Sequence, residues 1–163
     1  MNHLDILIEL ASATDAQEIL DLQKIAYQSE AALYNDYSIP PLTQSLDQIQ
    51  KDFQQQIVFK ASLKGRIIGS VRGYLENGTC HIGRLIVHPE FQNQGIGTSL
   101  MNKIEQHMSK AKRFELFTGE RSVRNLYLYH KLGYRILRSE RLTGKTTIVF
   151  MEKPGLAIRE ENK

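Results

Sequence analysis

Gly95 and Gly97 stand between an apolar strand and an amphipathic helix, in the run Leu85-Ile86-Val87-His88-Pro89-Glu90-Phe91-Gln92-Asn93-Gln94-Gly95-Ile96-Gly97-Thr98. The chemistry such a run can do is anion binding. The first N–H groups of a helix have no acceptor inside it, and the helix dipole puts partial positive charge at that end, so a phosphate is favoured there. Glycine lets the main chain approach such a group without a Cβ in the way, and Thr98 and Ser99 add hydroxyl donors in the first turn. Pro89 ends the strand. Leu100, Ile104, Met108 and Ala111 fall at helical spacing, which predicts a helix behind the loop with Lys103, Glu105 and Lys110 on its solvated side.

Spacing separates three kinds of phosphate site. A dinucleotide fingerprint needs a third glycine where this chain has Leu100, and it belongs in the first strand–helix unit. A P-loop is imitated by Gly144-Lys145-Thr146, but its earlier glycine falls at Ser139 and the strand formers Thr147-Ile148-Val149-Phe150 follow. That triplet reads as a hairpin turn. The third kind is the pattern Gln/Arg-x-x-Gly-x-Gly/Ala, met by Gln92, Gly95 and Gly97.

The elements that position the loop follow from periodicity. Leu4 to Leu10 alternates as a half-buried strand does, and Ser12 to Asp15 supplies caps for a helix through Ile19, Leu20, Leu22, Ile25 and Ala26. Asn35 to Pro41 reads as a loop and Leu42 to Phe53 as a second helix. Gln56 to Leu63 and Arg66 to Glu76 are strands joined at Lys64-Gly65; Asn77-Gly78 is a hairpin signal, and Thr79 to His88 is the fourth strand. Phe114 to Thr118 is strand-like, a helix follows, and a hairpin closes the chain. This order predicts a mixed α/β sandwich, residues 1–158 forming one domain and 159–163 a disordered tail.

Composition sets limits. The 163 residues are 41% apolar and 24% charged, ordinary for a globular domain. A formal net charge of +3 does not indicate an extended nucleic-acid surface. The single cysteine, Cys80, excludes an internal disulfide and a zinc cluster and reads as a buried thiol on a strand. With no long apolar run and no leader-like opening, the expectation is a cytoplasmic protein that does not engage membranes. Ile148, Phe150 and Met151 fit either a homodimer surface or a buried strand.

The glycine loop resembles the acyl-coenzyme A loop of the GCN5-related N-acetyltransferase (GNAT) superfamily. Leu128-Tyr129-His130-Lys131-Leu132-Gly133-Tyr134 is similar to the Tyr-x-Lys-x-Gly-aromatic signature that ends that family's next helix, and the two segments lie in the expected order. The strong resemblance covers Cys80 to Tyr134. It implies a mixed, centrally splayed β-sheet flanked by helices. It also implies acetyl-CoA as cofactor, with pantetheine beside Leu85, Ile86 and Val87 and pyrophosphate on Gln92, Asn93, Gln94, Gly95, Ile96, Gly97 and Thr98. Asn125 is placed to hold pantetheine amides or simply to cap or meet solvent; Ser122 stands near where relatives often carry an asparagine. Lys131 or Arg124 could meet a coenzyme A phosphate.

The implied activity is direct transfer of acetyl from acetyl-CoA to a primary amine of a small molecule or peptide, without metal. The alternative is a non-catalytic acyl-CoA sensor or partner-binding module of the same fold. Tyr129 matches the family's donor to the departing sulfur; a phenol of pKa about 10 is protonated at neutral pH. Tyr127, about 200° around the helix, is left to packing or substrate contact. Many relatives carry a glutamate base where this chain has Gly83. His81 and His88 flank the strand, and His81 is the candidate proton acceptor through water, against an ordinary strand histidine. Glu30, Glu76 and Asp36 are further candidates, or solvated carboxylates, and an α-amine needs no strong base. Tyr34, Asp36 and Tyr37 lie where the family builds its acceptor wall.

Overall fold

In the computed structural model, which describes residues 5–156, neighbouring strand residues divide between two cores. Residue Leu4 and the tail 159–163 lie outside the described residues. The strands are β1 Ile6–Leu10, β2 Ile57–Leu63, β3 Arg66–Glu76, β4 Thr79–Val87, β5 Arg113–Gly119, β6 Arg135–Arg141 and β7 Thr147–Pro154. They form a seven-stranded sheet in the order β1-β2-β3-β4-β5-β7-β6. Every neighbouring pair is antiparallel except β4 and β5. The β2–β3 and β3–β4 turns place Lys64 and Gly65, then Asn77 and Gly78, at positive φ, the twist that two-residue hairpins require. Gly144-Lys145-Thr146 lies in the β6–β7 connection, as its flanking strand formers predict.

The helices are α1 Ala16–Ala26, α2 Gln28–Tyr34, α3 Pro40–Thr43, α4 Leu46–Gln55, α5 Ile96–His107 and α6 Val123–Lys131. Ser12 and Asp15 open the first helical segment, with the Ser12 N–H donating to Asp15 at 2.9 Å. The single helix expected over Leu42 to Phe53 divides in two. Pro40, with its φ preset, starts the short α3, and Ser45 and Gln48 form a reciprocal cap that starts α4 afresh. Tyr27 interrupts what would be one continuous helix, separating α1 from α2.

Helix α5 stops at His107, short of Met108 and Ala111, although Ala111 is buried. Glu105 is also buried, contrary to its expected solvated position. The Lys153 ammonium, 2.7 Å away on β7, supplies its countercharge, and the Tyr134 hydroxyl donates to its other oxygen at 2.9 Å.

Adjacent residues point to opposite faces of a strand, so Phe59 and Ile68 join one core while Val58 and Ile67 join the other. On one face Leu100, Met101 and Ile104 of α5 pack with Ile68, Val71, Cys80 and Phe114. On the opposite face Ile19, Leu20 and Leu22 of α1 and Ile49 of α4 pack with Val58, Ile67 and Ile86. A buried polar knot fixes that second layer. Arg72 on β3 pairs with Asp52 of α4 at 2.7 Å and donates to Gln23 of α1. Gln23 in turn donates to the Pro41 carbonyl and to Gln44, both at 2.9 Å. Breaking a buried charge pair of this kind by removing one partner costs about 3–5 kcal/mol. Ile148 and Met151 are buried in β7. No helix among the described residues is long and apolar enough to cross a membrane.

Candidate active site

Strands β4 and β5 run parallel, but they are paired only from Thr79–Arg113 through His81–Glu115. Beyond those three pairs they separate, which is the expected central splay. Arg113 clasps the joined end, donating to Thr79 at 3.1 Å, to Glu115 at 2.8 Å and to Glu152 at 3.0 Å. The departure of β4 coincides with a bulge. Ser70 faces Ile86 and Arg72 faces Gly83, so Val71 alone spans Arg84 and Leu85. Arg84 sits there at φ 50, and an extra residue of this kind bends a strand and raises its twist.

The opening forms a cavity of about 410 Å³. One wall is Leu85, Ile86 and Val87; the floor of the far end is the loop with Gln92, Asn93, Gly95, Ile96, Gly97 and Thr98; Arg124, Asn125, Tyr127, Leu128 and Lys131 of α6 close the side. The loop is held by the Gln92 amide donating to the Val87 carbonyl at 3.3 Å, and Asn93 and Gly95 turn it through positive φ. Ser99 N–H reaches the Gly95 carbonyl at 3.0 Å, so the amides ahead of it, on Ile96, Gly97 and Thr98, stand at the open end of α5. A Cβ on Gly97 would point among Leu128, Leu85 and Val87, all cavity residues, at 3.5–3.9 Å. The glycine loop, Arg124 and Lys131 thus line the same cavity.

At the other end of the cavity the wall comes from the α1–α2 junction: Ala26, Tyr27, Ser29 and Glu30. The Glu30 carboxylate accepts from the buried Ser122 hydroxyl at 2.6 Å, tying α2 to the start of α6. Tyr129 is 6% exposed, packed edge-on against Tyr134. Burial, followed by the neighbouring Tyr27 and the Glu30 charge, pushes its phenol far above its ordinary pKa, so it holds its proton at every physiological pH. Burial also raises Tyr27, against the opposing pull of the Arg84 and Arg72 charges. Asn125 lines the cavity while donating to Thr118 at 3.3 Å.

Several predicted site residues lie elsewhere. His81 is not part of the cavity: it sits at the joined end of β4, stacked on Tyr74 with ring centroids 5.0 Å apart and 3.5 Å from Glu115. Parallel pairing captured its position before the strands diverge. His88 uses Nδ1 to accept from the Glu90 amide at 3.1 Å. Tyr34 is buried and accepts the Arg121 N–H at 2.8 Å, an anchor between α2 and the segment after β5. Asp36 is occupied by Ser38, whose amide and hydroxyl both donate to it and lower its pKa, and Tyr37 is 54% exposed outside the cavity. Gln94 is the one loop residue that does not line the cavity; its side-chain oxygen is buried without a donor. The aromatic and acidic side chains lining this part of the cavity are therefore Tyr27 and Glu30, six to seven residues before the expected Tyr34, Asp36 and Tyr37. No local signal marks Tyr27, whose placement depends on the helix break.

The chain matches the model of the Acetyltransferase (GNAT) family over residues 17–134. It is 29% identical over 123 residues to the UPF0157 protein YqkA of Bacillus subtilis strain 168, covering 76% of this chain and 35% of that protein. It is 30% identical over 80 residues to the uncharacterized N-acetyltransferase MJ1530 of Methanocaldococcus jannaschii, covering 47% of this chain and 51% of that one. The chain spans between about a third and about half the length of the curated relatives it matches. Among solved structures, the paia N-acetyltransferase from Thermoplasma acidophilum in complex with coenzyme A superposes with a TM-score of 0.77 at 18% identity, covering 91% of this chain and 98% of that one.

Proposed function

The chain belongs to the Acetyltransferase (GNAT) family, and from that premise we propose that it transfers an acetyl group from acetyl-CoA directly to a primary amine of a small molecule or peptide. The observation that carries this reading is the cavity at the splay, lined by the glycine loop at one end and by Tyr27 and Glu30 at the other, with Tyr129 buried on α6.

The residues fit coenzyme A on their own geometry. The space that a Gly97 Cβ would fill opens beside three unshared helix amides, which suits a pyrophosphate, and Arg124 and Lys131 suit further phosphate charge. The edge of β4 from Leu85 to Val87 is left unpaired by β5 and offers main-chain groups to an extended, amide-bearing arm. When bound, acetyl-CoA supplies a thioester whose carbonyl carbon a neutral amine attacks, the new C–N bond forming as the C–S bond breaks.

This chain's own groups manage the protons. Tyr129 holds a proton at its phenolic oxygen for the leaving sulfur, and its burial keeps that proton from being lost to solvent. Glu30, oriented by Ser122, is the carboxylate at the acceptor end and takes the proton that the amine releases. It fills the place left by Gly83, in preference to His81, which is turned toward Glu115. The Tyr27 ring walls the same end and excludes water from it.

The test is free-thiol release from acetyl-CoA with polyamines, amino acids, aminoglycosides and peptides, run beside calorimetric titration of coenzyme A. Turnover with an amine establishes the transferase. Tight coenzyme A binding without any turnover would transfer the reading to an acyl-CoA sensor, and absence of binding would remove both.

A further inference from the structure

We propose that Tyr127 and Lys131 bind the adenosine 3′-phosphate end of coenzyme A, the ring taking the purine and the ammonium the ribose phosphate. The chain then selects thioesters that carry a nucleotide over thioesters on a bare phosphopantetheine arm. The proposal rests on the acetyltransferase reading of the cavity and deepens it by naming the class of acyl donor.

Tyr127 is 67% exposed and lines the cavity beside Leu128 and Lys131. Exposure alone would mean little, because single apolar side chains on a surface are ordinary. Its place on a cavity wall is what matters, since an open aromatic face there is a stacking surface for a planar base. The other rings of the cavity are engaged elsewhere. Phe91 meets the His88 ring, with centroids 5.8 Å apart, and the Arg66 guanidinium at 5.9 Å, while Tyr27 stands at the α1–α2 junction.

Lys131 supplies the charge. Its ammonium lies 5.7 Å from the centroid of the Tyr127 ring. Among the described residues no carboxylate pairs with it, whereas Lys60 and Lys153 have partners at 2.9 and 2.7 Å. An unpaired cation next to an open ring matches a ligand that holds a phosphate and a base on one sugar.

Position along α6 decides which part of coenzyme A this is. Leu128 would stand 3.5 Å from a Cβ on Gly97, in the first turn of α5 where the pyrophosphate is placed. Tyr127 precedes Leu128, and Lys131 follows it by about 4.5 Å along the helix axis. The start of α6 is tied to Glu30 by the Ser122 hydroxyl at 2.6 Å, and Lys131 closes its last turn. With the acyl arm running toward Glu30, the last turn of α6 faces the part of coenzyme A beyond its pyrophosphate. Arg124 donates to Asn93 of the glycine loop at 3.5 Å, and so belongs with the pyrophosphate instead.

Calorimetric titration of coenzyme A, 3′-dephospho-coenzyme A and 4′-phosphopantetheine into wild type, Lys131→Gln, Tyr127→Ala and Tyr127→Phe separates the contributions, with thermal melting to establish that each variant is folded. The wild type is expected to bind coenzyme A about tenfold more tightly than the dephospho form, a preference that Lys131→Gln removes. Tyr127→Ala is expected to weaken both nucleotide-bearing ligands by about fivefold or more, and Tyr127→Phe, which keeps the ring, to preserve them. Equal wild-type affinity for coenzyme A and its dephospho form, a preference that survives Lys131→Gln, undiminished binding in Tyr127→Ala, or phosphopantetheine binding as tightly as coenzyme A would each overturn the assignment. All four leave the transferase reading standing. Absence of coenzyme A binding by the wild type would instead remove that reading.

Discussion

Replacing Gly97 with alanine should move stability and cofactor affinity in opposite directions. Gly97 lies in the first turn of α5 with an ordinary negative φ, and an added Cβ would meet Leu128 at 3.5 Å and Leu85 and Val87 at 3.9 Å, all van der Waals distances. The fold therefore accepts the methyl group, and the helix gains about 0.5–1 kcal/mol from the stiffer residue. For a chain of this size that raises the melting temperature by about 1–4 °C. The same methyl projects into the space through which a phosphate would approach the α5 amides. Losing one charge-assisted N–H contact costs about 1.5–3 kcal/mol, roughly 10- to 150-fold in Kd. Thermal melting of the free protein and calorimetric titration with coenzyme A measure the two effects separately. Gly95→Ala is the control: its Cβ has open space, but φ 81 strains it, so it should lower stability without blocking the cradle. Unchanged affinity in Gly97→Ala would refute the placement of the pyrophosphate, and a lowered melting temperature would refute the packing argument.

Tyr129→Phe should leave coenzyme A affinity intact while lowering kcat by about 10²–10⁴, read by steady-state kinetics; a full rate would end its role as proton donor. Glu30→Gln should lower kcat, whereas His81→Gln should leave the pH–rate profile where it is, and the reverse pattern would return the base to β4. Lys153→Met removes the countercharge of the buried Glu105 carboxylate, which keeps its bond from Tyr134, and should cost about 3 kcal/mol in chemical denaturation, far more than an exposed lysine. Cys80 is buried and its thiol is pushed up to about 12, so a disulfide reagent at pH 8 should label it only after unfolding.

Local chemistry wrote the cradle into the sequence. Pro89, the paired glycines and the apolar spacing of Leu100 and Ile104 act within one turn of one another, and strand β3 runs from Arg66 to Glu76 as its flanking turn residues predict. The proposed acceptor end was hidden because its parts are brought together from far along the chain. Glu30 meets Ser122 only across the folded molecule, and Tyr27 enters the cavity only because the helix breaks at it. Glu105 was misplaced for the same reason, since its partner Lys153 is on the last strand. His81 looked available because sequence cannot tell how far two parallel strands stay zipped.

Those three pairs between β4 and β5 have a mechanical meaning. Four strands are sewn to three along a short seam, so the plane of least cohesion runs through the middle of the protein rather than along an edge. Whatever lodges in the slot acts as mortar for that plane, contributing about 2.7 kcal/mol when its concentration is a hundredfold above its Kd. Under the proposed function the mortar is the acyl donor itself. The lifetime of the protein against proteases that enter through transient opening then tracks the supply of thioester in its surroundings, coupling how much enzyme survives to how much it has to use.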